Sequence, residues 1–333
     1  MARILAAKAR AVLNRSDMAP GFQRRRRQDG AARLDCGAMD AALHPGTVAR
    51  LRIPPRALEG CVYAYLWRDL AAARGAVPTG LTDAQCQSWF PATPLCGLSW
   101  TLGGRVRELS LDGKPGDWLP AGVLGGPRSG PRRFQSTPDG RAFMVAIRPE
   151  ALQAMTGLDI GALKDRMVPL SVIGDPDWHA LDAAMREAGD EATARRLLEA
   201  FLLPRWRAVR AAVVAEDPAP RGYAGWMQRL ALRAIAAGHG RSVRQAERRI
   251  KQWSGQSLRA LRLVSRAEAA FHEVRRLDED DDAVIWSALA QDHGYADQAH
   301  LCRETRRLSG FSPEELRRRV AEEEAFWAYR VWV

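Results

Sequence analysis

The chain has 333 residues, 47% hydrophobic and 27% charged, with 50 Lys and Arg against 39 Asp and Glu and a formal net charge of +11. That length is too great for one small core and predicts two or three domains, and no run approaches the roughly 18 apolar residues of a membrane-spanning helix. The basic balance favours a polyanionic partner, although an Arg- and Ala-rich composition of the kind a GC-rich genome encodes accounts for part of it.

The first 45 residues are read as a tail outside any fold. "MARILAAKARAVLNRSD" and "FQRRRRQDG" are Arg-rich and acid-poor, without the apolar core of a secretory signal. The segment is read as disordered, or as an artefact if translation begins at Met39. From residue 46 to 150 the pattern is of short strands. Segments Cys61–Trp67, Cys86–Phe90, Leu95–Leu102, Val106–Leu111, Trp118–Leu124, Arg133–Ser136 and Ala142–Ile147 are separated by turns such as "DGKPGD", "GGPRSGPRR" and "TPDG". That spacing predicts a β-sandwich or barrel. Trp89, Trp100, Trp118 and Phe134 would either fill its core or enclose an apolar pocket with Cys96 or Arg133 at its polar end.

From 151 to 220 the chain reads as a helical connector, with Pro149 starting a helix that Gly157 stops. "ATARRLLEAFLLPRWRAVRAAVVAE" is a helix expected to break at Pro204. "EDPAPRG" (Glu216–Gly222) is the predicted linker. Everything beyond it is helical, so the fold class is α+β and multidomain.

The C-terminal part repeats itself. "QWSGQSLRALR" (Gln252–Arg262) and "RLSGFSPEELR" (Arg307–Arg317) share Ser-Gly-x-Ser and a later Leu-Arg at a constant offset of 55 residues, with Arg248 and Lys251 matching Arg303 and Arg306. In the second copy, "DDDAVIWSALAQDHG" predicts a helix capped by Asp with Ile285, Trp286, Leu289 and Ala290 inward. Gly294 breaks it, and Asp297 caps "QAHLCRETRRLSG". There Leu301, Thr305 and Leu308 would face inward, while Gln298, Cys302, Arg303 and Arg306 face out. This is the pattern of a helix-turn-helix whose second helix enters the major groove of DNA. Gln suits adenine and Arg suits guanine through paired hydrogen bonds. Gly310 would end that helix and Ser312 would cap the next, with Pro313 first and Glu315 completing a capping box. Gly255 and Ser257 repeat the arrangement. A helix from Leu258 to about Arg276 would join two units able to meet successive groove faces about 34 Å apart.

These residues resemble the AraC/XylS family of bacterial transcription regulators. "GYADQAHLCRETRRLSGFSPEELRRR" is similar to that family's C-terminal signature, and Arg241–Arg319 to most of its DNA-binding domain. The resemblance implies a seven-helix fold at 221–320, with Arg244, Glu247 and Arg248 on the reading face of the first unit and Gln298, Ala299, Cys302 and Arg303 on that of the second. The sequence departs from the pattern in two ways. "QRLALRAIAAGHG" runs almost directly into the first reading helix, leaving little room for a complete unit. Ile250 and Thr305 stand where an aromatic usually anchors each helix. "WFPATPLCGLSWTLGG" and "RPEALQAMTGLDIGALKDRMVPL" more loosely resemble the β-rich sensor domain of such regulators, which implies a small effector or dimerisation. "EEEAFWAYRVW", within 321–333, is expected to pack as a C-terminal helix.

The five cysteines (Cys36, Cys61, Cys86, Cys96, Cys302) are scattered and form no C-x-x-C, and the six histidines are dispersed. Free thiols in a reducing cytoplasm are expected, with no metal and no cofactor. No nucleophile elbow or phosphate loop appears, so an enzyme is not expected. The reading is a cytoplasmic, promoter-binding regulator. RNA polymerase, a small effector and a second copy of the chain stay open as partners. A DNA-repair or DNA-modifying enzyme with an AraC-like module and a non-specific DNA binder are the alternatives.

Overall fold

Short aromatic and β-branched runs between Gly, Pro and Asp turns make the N-terminal half a β structure. The computed structural model describes residues 39–40, 42–71, 80–213, 222–237 and 242–331. Of the expected tail, 1–45, residues 1–38 and 41 lie outside the described residues, as does the linker through residue 221, while Met39–Asp40 form a strand and the Leu43 and His44 N–H groups donate to Glu324. Among the described residues eleven strands form two antiparallel sheets: β1 (Met39–Asp40), β2 (Val48–Arg52), β3 (Val62–Asp69), β4 (Gln87–Phe90), β5 (Cys96–Gly103), β6 (Val106–Leu109), β7 (Pro115–Trp118), β8 (Gly122–Gly125), β9 (Arg132–Ser136), β10 (Arg141–Ile147) and β11 (Met167–Pro169). The larger sheet runs β1-β2-β3-β10-β5-β8-β11 and the smaller β4-β9-β6-β7.

The large sheet is apolar on both faces, which is why "VYAYLW" and "FMVAI" read as nearly continuous hydrophobic runs. One face, with Trp67, Trp100, Phe143 and Val145, packs under helices; the other, with Ala49, Leu51, Ala64 and Leu66, packs against Trp327, Ala328 and Val331. The register sets Phe143 opposite Trp67 on one side and Trp100 on the other, and its ring stacks on that of Trp100. The expected strand Trp118–Leu124 is instead the end of β7 and the start of β8, which lie in different sheets. Pro120 supplies no N–H to a ladder, and the chain changes sheets there. Strands β1, β2 and β11 were not foreseen, and most of β7 falls in "DGKPGD", which was expected to be a turn.

Helices α1 (Pro149–Thr156), α2 (Ile160–Leu163), α3 (Pro176–Arg186) and α4 (Glu191–Val213) follow. Pro149 opens α1 and Gly157, at φ +72°, ends it. Asp175 caps α3 by accepting from the Asp177 N–H at 2.8 Å. The break expected at Pro204 does not occur: α4 continues through it. Leu198, Leu202 and Trp206, all fully buried at helical spacing, hold the two halves in one line against the core.

The remaining helices are α5 (Gly222–Ala236), α6 (Val243–Ser254), α7 (Leu258–Glu279), α8 (Trp286–Asp292), α9 (Gln298–Ser309), α10 (Pro313–Glu322) and α11 (Trp327–Val331), the last preceded by a 3-10 turn at Glu324–Phe326. Between Gly222 and Glu322 the described residues thus hold six α-helices where the resemblance implies seven. The described residues divide into two compact units. One comprises residues 39–213 with 252–256 and 302–331; the other comprises 222–251 and 257–301. In the second, α5 packs on α7, and Glu268 accepts from the Tyr223 N–H at 2.8 Å.

Two expectations for α8 fail. Ile285 is 63% exposed, and no side chain caps the helix. The acidic run serves α7 instead: Asp281 is left-handed at φ 55°, and Asp280 and Asp282 donate their N–H groups to Arg276 and Leu277 carbonyls at 3.0 and 2.8 Å. Val284 and Trp286 pack against the buried cluster of Val274, Leu289, Ala290 and Leu301 in place of Ile285.

Candidate nucleic-acid interface

Helix α6, "VRQAERRIKQWS", buries Ala246 and Ile250 one turn apart. On its other side Arg244, Arg248 and Lys251 are exposed and Glu247 is half-buried. Spacings of three and four residues put those four on one face. A full helix, α5, does precede α6, contrary to the expectation of too little room. Arg249 Nη1 ties the two by donating to the Ala234 carbonyl at 3.1 Å.

In α9, Leu301 and Leu308 are buried and Thr305 is half-buried. Asp297 caps the helix, accepting from the His300 N–H at 2.6 Å. Gln298, Ala299, Arg303 and Arg306 are exposed, with Cys302 half-buried among them. Ile250 is fully buried, so an aliphatic side chain fills the anchoring place in α6.

The repeat is realised bond for bond. Ser254 Oγ donates to the Gln256 carbonyl at 3.1 Å and accepts from the Gln256 N–H at 3.3 Å; Ser309 Oγ does the same with Phe311, both at 3.2 Å. Gly255 and Gly310 take φ +69° and +90°. Ser257 then accepts from the Ala260 N–H at 3.3 Å and Ser312 from the Glu315 N–H at 3.4 Å. Each turn therefore stops one helix and starts the next. Of the expected capping box the Ser312 half is formed, while the Glu315 carboxylate pairs with Arg319 at 3.0 Å.

The two turns belong to the unit that holds the sheets. Gln256 Nε2 donates to the Thr93 carbonyl at 3.4 Å, and the Ala92 N–H donates to the Leu308 carbonyl at 2.8 Å. Neighbouring residues of the β4–β5 connection, within the sequence "WFPATPLCGL", thus receive the ends of both α6 and α9.

Several other cations of the C-terminal helices are held by carboxylates. Arg276 pairs with Glu273 and Asp280, Arg318 with Glu322, and Arg319 with Glu315 and Glu323. Arg244, Arg248, Lys251, Arg303 and Arg306 have no carboxylate partner among the described residues. Arg259, at the start of α7, Arg307, and Arg207 and Arg210 of α4 are also exposed and have no carboxylate partner among the described residues; the four-residue step from Arg303 was the signal for Arg307. Open, uncompensated cations at groove-helix spacing are suited to phosphate oxygens and to guanine edges.

The aromatic pocket considered for the β-rich part is not formed by the residues named. Trp100 is fully buried against Phe143, its indole N–H donating to Asp182 at 3.0 Å. Trp118 lies under Arg105 and Arg107, and Trp89 packs on Phe311 and Phe326. Cys96 is buried, and Arg133 donates to Gln87. An open cleft of about 750 Å³ lies elsewhere, beside Trp67, Arg50, Arg52, Arg141 and Glu191. Its charge is largely self-compensated, since Glu191 pairs with both Arg50 and Arg52. Burial pushes the Cys61 and Cys96 thiols well above their ordinary range, which keeps them protonated and unreactive. Among the described residues no group of three His, Cys, Asp or Glu is placed to hold a metal, and no helix is long and apolar enough to cross a membrane.

No family profile and no curated protein matches the chain. Among solved structures, it is similar to an apo variant of ToxT from Vibrio cholerae, at 11% identity and a TM-score of 0.34 over 69% of this chain and 91% of that one. ToxT from Vibrio cholerae O395 gives 9% identity and a TM-score of 0.31, over 69% and 94%. The AraC-like transcriptional activator CuxR gives 13% and 0.24, over 89% and 84%.

Proposed function

We propose that the chain is a cytoplasmic, non-enzymatic transcription regulator of the AraC type, binding a promoter sequence through α6 and α9. The observation that carries this reading is the repeated stop-and-cap turn with an uncompensated basic face on the helix before each copy. Gln298 and Arg303 would read bases, with Ala299 and Cys302 against the groove floor. Arg244, Glu247 and Arg248 would form the corresponding face of the first unit, while Arg248, Lys251 and Arg306 contact bases or phosphates. Residues 221–320 are then the DNA-binding part and 46–150 the β-rich sensor part, and the open cleft that its strands share with residues 189–195 has room for a small effector. The burial of Cys61, Cys86 and Cys96 favours this reading over a repair enzyme that uses one of those three as a reactive cysteine.

The test is a fluorescence-anisotropy titration against DNA upstream of the protein's own gene and against scrambled DNA, at two salt concentrations. Arg303→Ala is expected to weaken binding at the cognate site by about 1–3 kcal/mol and to change binding to scrambled DNA far less. Equal losses on both would remove Arg303 from base reading.

A further inference from the structure

The end of the chain enters the β-rich unit in the way a ligand would. The Glu324 carboxylate accepts from the Leu43 N–H at 2.7 Å, the His44 N–H at 3.1 Å and the Thr47 hydroxyl at 2.9 Å, and it faces Arg68 Nη1 at 2.7 Å. Three residues on, the Trp327 indole N–H donates to Ser88 Oγ at 2.8 Å. The ring meets Phe90 edge-on at 5.5 Å and lies under the Arg68 guanidinium. Ala328 and Val331 complete the apolar cluster with Ala49, Leu51, Ala64 and Leu66. Helix α11 thereby touches β2 of the large sheet and β4 of the small one. All these partners lie far away in sequence; the segment continues from exposed Ala321 and Glu322, and locally Arg330 Nη1 also donates to the Val320 and Glu323 carbonyls at 2.6 and 2.8 Å.

We propose that residues 324–331 are a tethered ligand of the β-rich unit, held in a socket specific for a peptide carrying a carboxylate three residues before an indole. The Glu324 carboxylate and the Trp327 indole N–H each find hydrogen-bond partners there, so the socket selects chemistry as well as shape. Tethering keeps the local concentration of the segment high and the socket filled. Its occupancy reaches α9 through Trp89, whose ring packs on Phe326 of the segment at 5.9 Å and on Phe311 of the turn after α9 at 4.9 Å. The consequence for DNA rests on the proposed role of α9; the socket itself does not, and its test uses no DNA.

A specific protease site is introduced between Glu322 and Glu323 of the full chain, which folds intact and is then cut. The peptide of residues 323–333 is expected to stay bound through gel filtration and to exchange with the same peptide added free. Free peptides carrying Glu324→Gln or Trp327→Ala are expected to compete at least tenfold less well. In the uncut chain, Trp327→Ala is expected to raise hydrogen exchange at β4 and at Leu308–Phe311. Loss of the peptide with unchanged exchange at β4 would overturn the proposal. So would unfolding of the cut protein, which would make the segment an inseparable part of the core, and so would equal competition by the altered peptides.

Discussion

Glu324 and Arg68 show how much can depend on one buried charge. Their side chains are 3% and 5% exposed, and burial holds the Arg68 guanidinium below its ordinary range while the Glu324 charge works against that. Removing one partner leaves the other charge stranded in a medium that solvates it poorly. Glu324→Ala is therefore expected to lower stability by about 3–5 kcal/mol in urea denaturation, with part of the loss regained when Arg68→Met is added. The two repeated glycines make a finer comparison. Both have left-handed backbone, where a Cβ costs roughly 1–2 kcal/mol. At Gly310 an added Cβ would sit an ordinary 3.6 Å from Pro131, whereas at Gly255 it would come within 3.0 Å of the Ile160 carbonyl oxygen. Gly310→Ala should show the backbone penalty alone, and Gly255→Ala should be worse; equal midpoints in denaturant would contradict the contact at Ile160.

Among the elements, α4 departs furthest from its sequence. Pro204 removes one helical hydrogen bond, yet Leu198, Leu202 and Trp206 bury the same face on both sides of it. Tertiary packing outweighs a local preference of about 3 kcal/mol. Pro204→Ala should return the bond at the expense of a less restricted unfolded chain, a net gain of about 1–2 kcal/mol in urea denaturation. The same balance separates what the sequence reveals from what it conceals. Strands β3, β4, β5, β9 and β10 were legible because aromatic and β-branched runs lie between Gly, Pro and Asp turns, and the outward faces of α6 and α9 because their buried residues fall at helical spacing. Strands β1, β2 and β11 were not, being short and completed only by distant pairing. The acidic run at Asp280–Asp282 was assigned to the wrong helix because an Asp cluster fits the end of one helix as well as the start of another, and only the left-handed turn at Asp281 decides between them. Nothing local in "EEEAFWAYRVW" announces Ser88, Thr47 or Arg68 as its partners, since each lies more than 200 residues away.

For the whole molecule, a net charge of +11 predicts salt-sensitive attachment to any polyanion, wherever the charge lies. The proposed function is narrower, because it assigns the contact to a few of the cations that have no carboxylate partner among the described residues. Binding to duplex DNA falls with salt at a logarithmic slope of about −0.9 per phosphate neutralised. Lys251→Ala and Arg306→Ala should each flatten that slope by about 1 if each neutralises a phosphate, on cognate and scrambled DNA alike. Arg318→Ala removes the same formal charge from a group already paired with Glu322 at 3.0 Å and should leave the slope nearly unchanged. Gln298→Ala carries no charge and should reduce discrimination between the two DNAs without moving the slope. If all three charge removals flatten the slope equally, the contact follows total charge, and the faces of α6 and α9 have no privileged part in it. If only the two unpaired cations do so, the phosphate contact belongs to those faces.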